Sequence, residues 1–496
     1  MNPLLLTDGY KTGHHQQYPK GTTLVYSNFT PRSNKYAPKG CDKVVSFGQQ
    51  MVMMKIHEMF NNDFFNQPKD LVCGEMKREL SLYLNTDYDV SHFEALHDLG
   101  YLPIKVKSIE EGSLVPIKVP VLTIYNTIPE FYWVTNYLET ILSNLLWKPM
   151  TSATIAHQYR KVLTKWVEKT DKERSWFIDW QGHDFSMRGM DSVDAVISSG
   201  LGHLTSFSGS DSLPTIYGAR KYYNADGMIC GSVNATEHSV MCAGSKEDEI
   251  GTFRRLLETY PVGILSVVSD TWDLFKVITE YLPRLKEEIL SRDGKLVIRP
   301  DSGDPVDILC GTQIFEDMDH YNDYELDRES ILSSEEKGVI ELLWDVFGGT
   351  INEQGYKVLD PHIGAIYGDS ITIDRAEEIC KRLESKGFAS TNVVLGVGSF
   401  TYQYNTRDTF GFAMKATYVE INGEGREIFK DPITDDGTKK SATGLLHVTK
   451  SNENGYMLVD KVTWDNEANG ELQTIYKDGE FFNQTTLTEI RKKLTN

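Results

Sequence analysis

Positive charge is in short supply in this 496-residue chain: 51 Lys and Arg stand against 71 Asp and Glu, a formal net charge of −20. That balance argues against nucleic acid or an anionic membrane as the main partner. An anionic ligand then requires a local basic cluster, so the placement of the arginines is informative. Cysteine is sparse as well. The six present (Cys41, Cys73, Cys230, Cys242, Cys310, Cys380) form no C-x-x-C pair, which offers no thiolate metal site and predicts a reducing, cytoplasmic setting. Hydrophobic runs are short. The opening MNPLLLTDGYKTGHH has three leucines in a row, fewer than a signal-peptide core needs, and no stretch is long enough to span a membrane. H-E-x-x-H, Walker A and G-x-S-x-G patterns are missing, which lowers the expectation of a zinc hydrolase, a P-loop enzyme or an α/β-hydrolase.

What is present is a repeated texture. A hydrophobic content of 40% and a charged content of 25% are ordinary for a globular protein, and the length suits two domains. The stretch KLVIRPDSGDP, Lys295 to Pro305, joins an apolar run to a charged, Pro-stiffened turn. A strand buried on both faces that opens into polar residues at its C-terminal end is how α/β enzymes present a site. Six other segments behave alike: FIDWQGHDFSMR, LTSFSGSD, GSVNATEHS, ILSVVSD, IGAIYGDS and VVLGVGS. One marker from each gives Asp184, Asp211, His238, Asp270, Asp301, Asp369 and Gly398, at intervals of 27, 27, 32, 31, 68 and 29 residues. Most intervals fit one βα unit and contain an amphipathic helix pattern, as in IDRAEEICKRLESKGF; the longest also carries an acidic insertion at 316–337. The expected fold is α/β, an irregular (β/α) barrel over 171–405. An open doubly wound sheet is the alternative, although no G-x-G-x-x-G opens a first unit.

The flanks read differently. Before the barrel, residues 1–170 predict a strand at 22–28, a helix at 45–60, two or three strands at 103–127 and two helices at 129–146 and 151–169. After it, in 406–496, alternating segments separated by Asn422-Gly423, Asn454-Gly455 and Asp478-Gly479 predict antiparallel hairpins. The two flanks are expected to form one α+β domain into which the barrel is inserted.

If the strand ends converge, they bring together a specific inventory. Arg188 and Arg299 are rigid forks suited to phosphate oxygens. Gly396 and Gly398 allow backbone N–H groups to approach a phosphate. Asp301 and Asp369 suit either ribose hydroxyls or a Mg²⁺–phosphate unit. His238, beside Glu237, is a candidate acid, base or nucleophile. Phe185 is placed to stack on a flat ring. Asp270 reads most simply as a helix N-cap. Together these residues predict a phosphosugar or nucleotide substrate, bound for catalysis or only held.

TDGYK, GHDFSMRG, FSGSD, ATEHS, SVVSD, IRPDSGDP, YGDS, TRD and FKDP occur in this order over nearly the whole chain, and in this they resemble the nicotinamide phosphoribosyltransferases of the type II phosphoribosyltransferase class. The resemblance implies transfer of phosphoribosyl from phosphoribosyl pyrophosphate to nicotinamide, with Mg²⁺, in NAD salvage by a homodimer with interfacial sites. It implies that Phe185 and the partner subunit's Tyr10 sandwich the nicotinamide, with Arg299 alongside, and that Asp211 accepts from the carboxamide. Arg188, Arg299, Asp301, Gly368, Asp369, Gly398, Arg407, Lys415 and Lys430 would hold the phosphoribosyl and phosphate groups, and Asp8 would join from the partner. His238 would be phosphorylated by ATP, placing it with Asp270 and Asp301 among the catalytic group. The chain departs from the family pattern in three places. Gly396-Val397-Gly398-Ser399-Phe400 replaces a run of glycines, Asn234 and Thr236 stand where proline and alanine are common, and Met187 replaces an aromatic beside Arg188.

Overall fold

The computed structural model describes residues 1–312, 332–368, 370–430, 442–452 and 455–495. The chain divides into two compact units: Met1–Ile155 with Thr215–Gly227 and Asn405–Asn496, and Ala156–Pro214 with Met228–Tyr404.

In the first unit, strands from the two ends of the chain share one seven-stranded antiparallel sheet. Thr22–Thr30 pairs on one side with Ala413–Ile421 and on the other with Leu122–Asn126. Ile104–Ser108 pairs with Gln473–Lys477. The interleaving follows from burial. Phe29, Ile104, Ile124, Phe412, Met414 and Tyr476 belong to one apolar cluster, and the Phe29 and Phe412 rings stack at 5.2 Å. The N-terminal segment supplies most of that core, and Phe410, Phe412, Met414, Val448, Tyr456, Leu472 and Tyr476 complete it from the C-terminal segment. Asn422-Gly423 and Asp478-Gly479 both have positive φ at both positions, as tight hairpin turns need.

Helix 139–170 departs from expectation. Two helices were predicted around Pro149, yet one 32-residue helix runs from Glu139 to Thr170 with Pro149 inside. Proline removes one i→i−4 hydrogen bond; Leu146, Met150 and Ala153, all fully buried, hold both sides of it against the core and outweigh that loss.

The second unit holds seven parallel strands, β1 (Gly182–Asp184), β2 (Gly209–Ser210), β3 (Asn234–Ala235), β4 (Val262–Val268), β5 (Asp293–Arg299), β6 (Ile363–Tyr367) and β7 (Val393–Val397), and the described markers Asp184, Asp211, His238, Asp270, Asp301 and Gly398 lie at or just beyond their C-terminal ends. Their spatial order is β2-β1-β7-β6-β5-β4-β3, and every pairing is parallel. A parallel bridge between Gly209 and Gly231 links β2 to the segment leading into β3, so the sheet curls back on itself as a barrel. On β5, Leu296 and Ile298 are fully buried, whereas Val297 and Arg299 are partly exposed. The strand is therefore less symmetrically buried than its apolar run suggests, because alternate residues take the face that carries Arg299.

Candidate active site

The barrel unit brings Arg299, Asp301, Phe185, Asp211, His238 and Asp270 into a connected set. Arg299 is the hub. Its Nε and Nη2 donate to Asp301 Oδ1 and Oδ2 at 3.3 and 3.1 Å, a fork made possible by the turn at Pro300. Its guanidinium lies 5.2 Å from the centre of the Phe185 ring, a cation–π distance. Both members of the Arg299–Asp301 pair are largely buried, with side chains 12% and 19% exposed. Gly368 follows β6 at the same place. A Cβ there would lie 1.8 Å from Asp301 Oδ1 and 2.8 Å from Arg299 Nε, so only glycine lets the strand end approach the fork.

Asp270 is not a helix cap. The helix after β4 is capped by Asp273, whose side chain accepts from Lys276 N, and Ser269 Oγ donates to Val267 O. Instead Asp270 Oδ2 accepts from Asp301 N at 2.8 Å and Ser302 Oγ at 2.5 Å, which ties the β4 and β5 ends together. Its Oδ1 lies 3.4 Å from His238 Nε2 and is buried without a hydrogen-bond donor. The two groups are close, but no aligned hydrogen bond joins them. His238 opens the helix His238–Ala243, and its side chain is half exposed. A half-exposed imidazole backed by a buried carboxylate is suited to gain and lose a group at its ring nitrogens.

At the β1 and β2 ends, Asp211 Oδ1 lies 2.9 Å from His183 Nε2 and accepts from Ser232 Oγ. Burial pushes the Asp211 carboxyl up, but hydrogen bonds from His183 and Ser232 and the nearby Arg299 charge outweigh it and hold it below its ordinary value. Asp211 is thus a carboxylate at neutral pH. His183 and Phe185 rings lie 4.6 Å apart.

The remaining barrel candidates are peripheral to this set. Arg188 is exposed, in the turn Met187–Gly189. Gly398 precedes the five-residue helix Ser399–Gln403, and a Cβ on Gly396 would meet Tyr367 O at 2.6 Å. Asp369 lies outside the described residues. Of the turn residues after β5, Asp304 caps Pro305–Cys310 and Gly303 has φ +90°.

The other candidates form a second group, within the first unit. Tyr10 is exposed, 5.6 Å from the His14 ring, and Lys11 Nζ pairs with Glu139 at 2.8 Å. Asp8 Oδ2 accepts from Thr140 Oγ1 at 2.8 Å. Burial holds the Lys415 ammonium below its ordinary value; the Glu139 charge opposes this, and Arg32, Lys430 and Arg407 reinforce it. Lys415 thus has Arg32, Lys430 and Arg407 among its charged neighbours, with Glu139 opposing them.

Two further residues, His183 and Ser232, belong to the barrel set through Asp211, and Ser302, in the turn after β5, belongs to it through Asp270. Nothing in their local patterns distinguishes them; each acquires significance only through its partner across the strand ends.

Residues 180–480 match the model of the nicotinate phosphoribosyltransferase family, and residues 2–106 match that of the nicotinamide phosphoribosyltransferase N-terminal domain. A nicotinamide phosphoribosyltransferase of Acinetobacter baylyi is 50% identical over 506 aligned residues, which cover 100% of this chain and 97% of that relative. The chain belongs to the nicotinamide phosphoribosyltransferase family. A second member with that name, from Mycoplasma pneumoniae, is 34% identical over 89% of this chain and 94% of its own length. Among solved structures, human nicotinic acid phosphoribosyltransferase superposes with a TM-score of 0.55 at 14% identity, covering 98% of this chain and 92% of that one. Nicotinate-nucleotide pyrophosphorylase from Pyrococcus furiosus gives 0.54 at 14% identity, covering 99% and 94%. At that identity the likeness concerns the fold. Family membership and the curled parallel sheet agree with the resemblance read from the motifs.

Proposed function

We infer that this chain transfers phosphoribosyl from phosphoribosyl pyrophosphate to nicotinamide, giving nicotinamide mononucleotide and pyrophosphate, in NAD salvage. The pyridine nitrogen of nicotinamide brings its lone pair to C1 of the ribose as the C1–O bond to pyrophosphate breaks. No proton is transferred, so the site needs no general base for this step. It needs stabilisation of two opposite charges: a cationic sugar carbon and an anionic leaving group. Asp301 serves the sugar and its hydroxyls. Arg299 and Arg188, with Asp369 and with Gly368 and Gly398 where the backbone approaches closely, serve the phosphates. Arg407, Lys415 and Lys430 supply further cationic charge.

Mg²⁺ neutralises pyrophosphate charge when bound. It would be held chiefly through the phosphate oxygens: among the described residues no group of three or more His, Cys, Asp or Glu side chains is placed to hold a metal ion, and both Asp301 oxygens are engaged by Arg299. ATP enters as a co-substrate. Its γ-phosphoryl group passes to a ring nitrogen of His238 as the bond to ADP breaks, and hydrolysis of that phosphohistidine drives product formation.

Asp211 carries the choice of base. An ionised, partly buried carboxylate accepts a hydrogen bond from the carboxamide NH₂ and repels the carboxylate of nicotinate, the substrate of the rival reading. Asp211→Asn is expected to narrow the ratio of kcat/KM for nicotinamide over nicotinate by about tenfold or more. Because the folded-state pKa of Asp211 is depressed, wild-type selectivity holds through neutral pH and declines only as pH falls through that lowered value. Turnover of nicotinate but not nicotinamide by the wild type would overturn the assignment.

The assembly proposed is a cytoplasmic homodimer in which Asp8 and Tyr10 of one protomer complete the nicotinamide pocket of the other. Complementation tests it. Tyr10→Ala and Arg299→Ala chains, each inactive alone, are mixed and allowed to exchange subunits. A pocket shared between protomers leaves one intact site per mixed dimer, so about one quarter of wild-type activity returns at random pairing. A pocket built within one protomer returns none.

A further inference from the structure

Two donors converge on Asp211, and both reach the same oxygen. His183 Nε2 lies 2.9 Å from Oδ1, and the Ser232 hydroxyl donates to Oδ1 as well. Among the described residues, no hydrogen bond to Oδ2 is found. The Asp211 side chain as a whole is 40% exposed, so the residue is open to a ligand. His183 itself is held tightly. Its side chain is 11% exposed, it lies against Phe185, and a Cβ on Gly209 would come within 2.7 Å of its Nδ1. For Nε2 to donate to a carboxylate it must carry a proton, and that fixes which nitrogen is protonated in the neutral ring.

We propose that His183 and Ser232 are specificity-determining positioning residues: they saturate Asp211 Oδ1 and so leave Oδ2 as the one acceptor offered to the carboxamide NH₂. The inference rests on Asp211 being the residue that reads the carboxamide. Its content is physical. A carboxylate with two equivalent free oxygens rotates about its Cβ–Cγ bond, accepts protons more readily and offers water as good a site as the ligand. Two charge-assisted hydrogen bonds on one oxygen stop the rotation and favour the ionised form. Nicotinate is then rejected by a fixed negative charge, because Oδ2 cannot swing away or take up a proton at low cost. Ser232 and His183 come from different strand ends, so their agreement on one oxygen is a product of the barrel and not of a local turn.

The test compares nicotinamide and nicotinate as substrates for His183→Ala, His183→Gln, Ser232→Ala, Asp211→Asn and the double variant His183→Ala with Asp211→Asn. Glutamine places an N–H near the position of Nε2. His183→Ala is expected to lower the nicotinamide-over-nicotinate ratio of kcat/KM about tenfold, and Ser232→Ala several-fold. The loss should appear as a raised KM for nicotinamide with the KM for phosphoribosyl pyrophosphate unchanged. His183→Gln is expected to recover most of the ratio, and in the Asp211→Asn background His183→Ala should no longer alter it. Ser232 is exposed, so its variant reports even if His183→Ala folds poorly. A narrowed ratio in Asp211→Asn with unchanged ratios in both His183→Ala and Ser232→Ala would overturn this inference and leave the reading of Asp211 standing. An unchanged ratio in Asp211→Asn overturns both. Equal losses in His183→Ala and His183→Gln, with none in Ser232→Ala, would show His183 to be packing against Phe185 only.

Discussion

Arg299→Ala is expected to lower kcat/KM for phosphoribosyl pyrophosphate by two to three orders of magnitude, about 3–4 kcal/mol of transition-state stabilisation. The side chain does two things that no neighbour duplicates. Its Nε and Nη2 fork orients Asp301, and its guanidinium lies 5.2 Å from the centre of the Phe185 ring. Alanine removes both, and leaves Asp301 largely buried without its cation. Arg299→Lys retains charge but neither the fork nor the flat surface, so it is expected to recover less than one tenth of the loss. Steady-state kinetics with each substrate varied separates the two contributions. Loss of the fork appears in the phosphoribosyl pyrophosphate terms, and loss of the stack in the KM for nicotinamide. A lysine variant with near-wild-type kcat/KM would show that Arg299 acts as a point charge and not through geometry.

The position of this hub was legible in KLVIRPDSGDP because a strand end with an arginine, a proline and an aspartate in succession has few other uses. The seven strand ends were legible for a related reason: each pairs a short apolar run with small and acidic residues at βα spacing, and the spacing persists although the units share no sequence. What was not legible is cross-strand chemistry. Asp270 looked like a helix cap because an Asp followed by a helix usually is one; Asp273, three residues later, takes that role and frees Asp270 to join Asp301, Ser302 and His238. His183 and Ser232 are 49 residues apart in sequence, and only the curl of the sheet brings both onto Asp211. Pro149 misled for the opposite reason. Local propensity argued for a break, and the burial of its neighbours overrode it. For Asp270, His183 and Ser232, local signals predicted the elements and failed where a side chain's partner comes from another strand end.

The burial of Asp270 bears directly on His238. His238→Ala is expected to abolish formation of the phosphoprotein from ATP and all stimulation of turnover by ATP, while ATP-independent synthesis of nicotinamide mononucleotide continues at a reduced rate. Such a split is expected because His238 makes no described contact with Arg299, Phe185 or Asp211, the groups proposed to hold the two organic substrates. Its link is to Asp270, whose other oxygen accepts from Asp301 N and Ser302 Oγ. One carboxylate therefore touches both the imidazole proposed to carry phosphate and the loop proposed to hold ribose. Phosphorylation changes the charge beside Asp270 Oδ1 from neutral or positive to negative, which disfavours the short contact and loads the carboxylate toward its other oxygen. The proposed phosphorylation would then act on substrate binding through a single side chain, Asp270. Asp270→Asn should accordingly still form phosphoprotein but show a several-fold smaller effect of ATP on the KM for phosphoribosyl pyrophosphate. Labelling with γ-phosphate-labelled ATP, followed by acid and alkali treatment, distinguishes phosphohistidine from phosphoserine, including any on Ser239. Acid-labile, alkali-stable label persisting in His238→Ala would remove His238 from the coupling. Full ATP stimulation in Asp270→Asn would remove the proposed route while leaving the phosphohistidine in place.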